Sequence, residues 1–146
     1  MIVWRFAATF FYLGKLPVAP GSFGSLGTLL LWLLLPVSFS IQLSVLVFLF
    51  ILGVYSSDKM AKYMDDHDPS EVVIDEAVGM GISLFMLPHN FGLYLLAFVL
   101  FRIFDIFKPS FIYQIQNLPG GWGIMLDDVL AGLFTFALVN GITTIL

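Results

Sequence analysis

The chain has 146 residues, 60% of them hydrophobic and only 11% charged, with six Lys/Arg, ten Asp/Glu and no cysteine. An average soluble domain is about a quarter charged. Composition therefore excludes a disordered tail, a nucleic-acid binder with a basic stripe and an ordinary water-soluble globule. The length fits one domain, with lipid as the expected solvent for most of it. Disulfides, thiolate zinc sites and cysteine nucleophiles are ruled out.

Residues 16–57, 77–101 and 129–146 carry no Asp, Glu, Lys or Arg. A membrane-spanning helix needs roughly 20 predominantly apolar residues, so these runs are candidate spans. No basic leader precedes the first apolar stretch, and Arg5 interrupts it, which argues against a secretory signal. Residues 2–14 (IVWRFAATFFYLG) read as an aromatic interfacial helix, because Trp, Tyr and Phe favour the headgroup level.

The first core helix is expected after a loop, PGSFGS (20–25), with Ser22 or Ser25 as N-cap and Pro36 as its stop. It is short for a full span and suits a re-entrant segment. A second helix begins near Ile41 and runs to Met64, its last turns amphipathic. The third has Asp68 as N-cap, Pro69 at the first helical position and Glu71 three residues after the cap, and ends at Leu87. The fourth runs from Phe91, capped by Asn90, to Lys108 before Pro109. The fifth follows GGWG (120–123) and reaches the C-terminus.

The expected fold is thus an all-α integral membrane bundle of about four to five spans plus an N-terminal interfacial helix. Residues 1–146 form a single membrane-embedded domain. Alternating the helix directions puts the joints at 36–40 and 88–91, which carry no Asp, Glu, Lys or Arg, on one side. Every charged residue falls on or near the other side, which the positive-inside rule assigns to the cytoplasm.

Several charges lie within the helices. Asp75 is expected six residues inside the third helix and Arg102 six residues before the end of the fourth, each roughly 9 Å below the charged rim. Helical spacing groups Glu71, Asp75 and Gly79 on one stripe with Glu76 beside it. It also groups Tyr94, Phe98, Arg102, Asp105 and Lys108 on another. Ala131 and Gly132, one turn after Asp127-Asp128, allow the fifth helix to pack closely. Five carboxylates (Asp75, Glu76, Asp105, Asp127, Asp128) and three cations (Lys15, Arg102, Lys108) then share one depth. Pairing, such as Arg102 with Asp105, accounts for some of them. Five neighbouring acids cannot all stay ionised without a further cation. A hard divalent ion held by oxygen ligands, such as Mg²⁺, is the simplest neutraliser.

The two glycine loops open helices, where free backbone N–H groups can cradle an anion, although ordinary capping explains either one alone. Asp65-Asp66-His67-Asp68 reads as a solvated joint, His89 as punctuation on the charge-poor side, and Lys59 and Lys62 as anchors near anionic headgroups. Asn140 is a candidate interhelical hydrogen bonder.

The stretches VAPGSFGSLGTLL (18–30), DPSEVVIDEAVG (68–79), FRIFDIFKP (101–109) and GGWGIMLDDVLAG (120–132) together resemble the phosphatidylglycerophosphatase A family. The order and spacing agree, and the resemblance covers nearly the whole chain. It implies a bacterial, Mg²⁺-dependent, multi-pass enzyme of the cytoplasmic (inner) membrane that removes the terminal phosphate of phosphatidylglycerophosphate. It carries over Gly21, Gly24, Ser25, Asp75, Glu76, Arg102, Asp105, Lys108, Gly120, Gly121, Asp127 and Asp128. Ser22 stands where Thr is common, Met80 where Gln is frequent, and Ser110-Phe111 where Trp-Pro often follows.

The expected mechanism has Asp75, Glu76, Asp127 and Asp128 binding one or two Mg²⁺, which polarise phosphoryl oxygens and position the attacking water. Asp75, Glu76, Asp105 and Asp128 form the expected catalytic set. Arg102, Lys108 and Lys15, with the segment holding Gly21, Ser22, Gly24 and Ser25, bind the substrate phosphate. Asp105 orients Arg102 or moves a proton. The expected partners are the phospholipid substrate and the bilayer, without nucleic acid and with the oligomeric state open. A small ion or metabolite transporter is the alternative, although its ionisable groups would sit near the midplane with access from both sides. An accessory subunit would keep many buried charges without use.

Overall fold

A computed structural model of the chain describes residues 2–12, 20–65, 72–107 and 120–145. Among these it has six helices and no strand: α1 (Ile2–Ala8), α2 (Pro20–Leu34), α3 (Phe39–Met64), α4 (Ile74–Leu84), α5 (Phe91–Ile106) and α6 (Gly120–Ile145). The all-helical expectation holds. α3 and residues 122–145 of α6 are long and apolar enough to cross a membrane, and α2 is a shorter apolar helix.

Several boundaries differ from the sequence reading. PGSFGS is not a loop: α2 starts at Pro20, so Ser22 and Ser25 lie within helix. Proline suits a first helical position, where its missing N–H has no partner to lose. GGWG is likewise the first turn of α6. The expected start of the third helix at Asp68-Pro69 falls outside the described residues, but Val72 and Val73 are non-helical and α4 begins only at Ile74. It also ends early, at Leu84, and Met86 follows with a left-handed φ of 60°. α5 keeps its Asn90 cap, whose side chain accepts from the Leu93 N–H at 3.3 Å, and ends at Ile106. Asn140 bonds within its own helix, to the Phe136 carbonyl at 2.8 Å, and makes no interhelical bridge among the described residues.

The shortness of α4 organises the bundle. Its 11 residues reach about 16 Å, near half of a hydrocarbon layer about 30 Å thick. All of them except Glu76 and Ile82 are buried. A helix wrapped by others needs no lipid-facing stripe, and α4 has small residues where neighbours must come close. A Cβ on Gly132 of α6 would collide with the Gly79 carbonyl oxygen. A Cβ on Gly79 would lie 2.5 Å from the Phe101 ring and 2.6 Å from the Asp128 carbonyl oxygen. Gly81 faces the rings of Trp32, and Gly53 of α3 faces Met125. Backbones meet directly at the α4–α6 crossing, as small-residue interfaces allow.

The two ends of the bundle are distinct. At one, Gln42 donates to the Pro36 carbonyl (3.1 Å) and accepts from the Met86 N–H (2.8 Å), tying both uncharged joints together. At the other, Trp4 and Arg5 of α1 stack on Tyr63 at the end of α3, and Val73 N–H donates to the Ala8 carbonyl at 2.9 Å. Outward positions of α3 such as Phe48, Ile51 and Tyr55 are exposed and apolar or aromatic, the reverse of a water-facing helix.

The crossing makes a direct prediction. Gly132→Ala should destabilise the folded protein by about 1–3 kcal/mol, because the opposing atom is backbone and cannot swing aside. Gly141→Ala, with nothing within 4 Å of its Cβ, should be neutral or stabilising. Thermal unfolding of both variants in one detergent measures the contrast.

Candidate active site

The site grows from the glycine crossing. Asp75 precedes Gly79 by four residues, and Asp128 precedes Gly132 by four. α4 and α6 run in the same direction, since Phe85 just past the end of α4 meets Phe136 far along α6. Two parallel helices in contact at Gly79 and Gly132 therefore bring Asp75 and Asp128 together one turn earlier. Asp75 is 6% exposed, Asp127 3% and Asp128 1%. One carboxylate oxygen from each of the three lies within 4.8 Å of the others.

The late start of α4 changes the setting of its acids. Val73, whose N–H is held by the Ala8 carbonyl, is non-helical and α4 begins at Ile74, so Asp75 and Glu76 occupy the first turn and not the helix interior. Carboxylates are favoured there by the unpaired N–H groups of a helix start. Glu76 turns toward a second group: oxygens of Glu76, Asp105 and Asp128 also lie within 4.8 Å of one another. Asp128 belongs to both triads.

α5 contributes the cation. Arg102 Nη1 donates to Asp105 Oδ2 at 2.5 Å, one turn along the same helix, confirming the expected pair. Both side chains are largely buried, 17% and 10% exposed. Arg102 Nε and Glu76 Oε2 are buried without a hydrogen-bond partner among the described residues.

α2 closes the fourth side through Gly21. A Cβ there would stand 2.8 Å from Glu76 Oε1 and 3.1 Å from Arg102 Nη1, so the glycine leaves a cradle against both charged groups. The other residues of its motif act differently. Gly24 packs on Val73, with a Cβ position 3.1 Å from the valine Cβ. Ser25 is fully buried and its hydroxyl donates to the Gly21 carbonyl at 3.0 Å, while Ser22 is half-buried in the first turn. Of that segment, the structure brings Gly21 to the acids. Lys15 and Lys108 lie outside the described residues, as do Glu71 and 66–68 of the acidic joint. Gly120 and Gly121 open α6.

Other charges stay apart. Lys62 pairs with Asp58 at 3.1 Å on the exposed end of α3, and Lys59 lies over the Tyr55 ring. Asp65 ends α3 in a left-handed conformation, and His89 stacks on Tyr94 at the uncharged end. The sequence reading missed Phe101, the ring against Gly79. Its place three residues after Phe98 and one before Arg102 gave no sign of that contact.

An all-helical bundle with two helices long and apolar enough to cross a membrane, carrying a carboxylate cluster and an arginine at one end, defines an α-protein with a charged site among its helices. The profile of the family described as "PgpA: Phosphatidylglycerophosphatase A" matches residues 6–143. The phosphatidylglycerophosphatase A of Escherichia coli K12 is 40% identical over 135 residues, covering 90% of this chain and 78% of the relative. That of Haemophilus influenzae is 41% identical over 138 residues, covering 88% and 82%. A protein of Bacteroides thetaiotaomicron, provisionally named a phosphatidylinositol-3-phosphatase, is 41% identical over 135 residues, covering 86% and 84%. No solved structure matches. The chain belongs to the phosphatidylglycerophosphatase A family and is a phosphatase.

Gly21→Ala tests the α2 wall of this site. The added Cβ meets the far ends of two flexible side chains, so the protein should fold normally. Displacing Glu76 and Arg102 should nevertheless lower kcat/KM about tenfold or more, since misplacement by about 1 Å can cost as much as a hundredfold. Paired unfolding and activity measurements check both halves.

Proposed function

We propose that the protein is a Mg²⁺-dependent phosphatase of the bacterial cytoplasmic membrane, acting at the headgroup level of the cytoplasmic leaflet. Its substrate is phosphatidylglycerophosphate, whose terminal phosphate monoester is hydrolysed to leave phosphatidylglycerol and phosphate. The observation that carries this reading is the pair of carboxylate triads, one buried and one half-buried, sharing Asp128 beside Arg102. The family relation supports it.

The donor set fits Mg²⁺. Among the described residues the candidate ligands are all carboxylate oxygens, the hard donors that this ion takes, usually alongside waters and a substrate phosphate. Glu76 Oε2 is a buried oxygen without a hydrogen-bond partner among the described residues, and the cradle at Gly21 opens beside the same side chain. Asp75, Glu76, Asp127 and Asp128 would hold the metal. When bound, Mg²⁺ neutralises phosphoryl oxygens and makes a coordinated water more acidic.

The remaining chemistry belongs to the chain. Arg102 offers a planar guanidinium for bidentate contact with phosphate oxygens, and its Nε has no competing partner among the described residues. Asp105 pairs with that guanidinium. Lys15 and Lys108 are proposed as further phosphate contacts from the flanking segments. Phosphate-ester hydrolysis is extremely slow without help, and a water-poor, charged site is where such groups act most strongly.

The apolar outer faces and the confinement of described charges to one end support a multi-pass orientation with the charged end in the cytoplasm. They also weigh against a transporter, whose ionisable groups would lie nearer the midplane.

Phosphate release from defined lipids tests the proposal. Purified protein with Mg²⁺ should hydrolyse phosphatidylglycerophosphate in preference to phosphatidylinositol 3-phosphate, and EDTA should stop it. Asp128→Asn should lower turnover by about a thousandfold while the protein stays folded. Mg²⁺-independent turnover, or wild-type turnover by the variant, would sink the metal assignment. Preference for the inositol lipid would transfer the substrate assignment to that headgroup.

A further inference from the structure

We infer that the carboxylates form two cation positions sharing Asp128, and that Arg102 competes with the second cation for Asp105. This rests on the metal reading above and assigns the part of each side chain within it.

The acids divide by geometry. Asp75, Asp127 and Asp128 make one mutually close set, all three nearly inaccessible. Glu76, Asp105 and Asp128 make the other, more open set, bordered by Arg102 and by the cradle at Gly21. The second set already engages a cation: the Arg102 guanidinium sits 2.5 Å from Asp105 Oδ2. A position that accepts a guanidinium edge is electrostatically suited to a divalent ion. Asp105 therefore serves two cationic partners, and guanidinium and divalent cation are in competition for it.

The competition has a functional direction. A cation on Glu76, Asp105 and Asp128 weakens the hold of Asp105 on Arg102, and the guanidinium can then turn to an anion. Gly21 lets α2 approach Arg102 closely, with Nη1 and Nη2 only 3.1 and 3.3 Å from a Cβ position there. Loading of the second position and capture of a phosphate oxygen by Arg102 are thus coupled. Asp105 is a positioning residue for Arg102 and a ligand in its own right.

Mn²⁺ titration of the purified protein in detergent, followed by electron paramagnetic resonance without lipid substrate, tests the inference. Wild-type protein should bind two Mn²⁺ ions with spin coupling between them. Asp105→Asn should keep one ion and lose the coupling, and that retained ion shows that the variant is folded. Arg102→Gln should keep both, with the weaker position tightened about tenfold, within the range typical of coupled sites. One ion in wild type and in Asp105→Asn alike would overturn the two-position inference and leave the metal reading standing. Weaker Mn²⁺ binding in Arg102→Gln would overturn the competition. No Mn²⁺ binding at all would overturn the metal reading itself.

Discussion

The approach of two backbones at Gly79 and Gly132 governs the rest of the molecule. With any side chain at Gly132, α4 and α6 would separate, because the opposing atom is the Gly79 carbonyl oxygen. The helices are parallel, and each carries an aspartate four residues before its glycine. One steric condition therefore fixes both the packing of the bundle and the meeting of Asp75 with Asp128. Phe101 seals the same crossing from α5, one residue before Arg102, so the cation is registered to the acids by the same contact.

This arrangement is costly to keep. Carboxylates as inaccessible as Asp75, Asp127 and Asp128 lose hydration and repel one another. The fold answers in part by starting α4 late, which gives Asp75 and Glu76 the favourable first turn of a helix. It answers again with the guanidinium of Arg102 on Asp105. Asp128 is shared by both triads, and under the proposed function a divalent cation would add a third compensation. This polar end is joined to α3 and α6, both long and apolar enough to cross a membrane.

Much of this was legible in the sequence, for identifiable reasons. Long charge-free runs gave the helices, Asn90 gave the start of α5, and Gly132 one turn after Asp128 gave the close approach of α6. The spacing of Arg102 and Asp105 gave their pair. What misled was local chemistry overridden by tertiary contact. Glycine, serine and proline in PGSFGS suggest a loop, yet the segment is helix because Gly24 must pack on Val73 and Gly21 must clear Glu76. Asp68, Pro69 and Glu71 form a convincing helix start on paper. That segment lies outside the described residues; after it, the Val73 N–H is taken by the carbonyl of Ala8, a partner distant in sequence, and α4 begins only at Ile74. No periodicity announces such a partner.

The central claim is that the folded bundle holds a cluster of acids that requires a divalent cation. Thermal unfolding of wild-type protein and Asp128→Asn, each with Mg²⁺ and with EDTA, tests it most directly. In EDTA the variant should unfold at the higher temperature, because one buried like charge has been removed. In Mg²⁺ the order should reverse, since ligand binding to the folded state stabilises the wild type. An unfolding temperature for the wild-type protein that does not respond to Mg²⁺, or a variant that responds equally, would contradict the account.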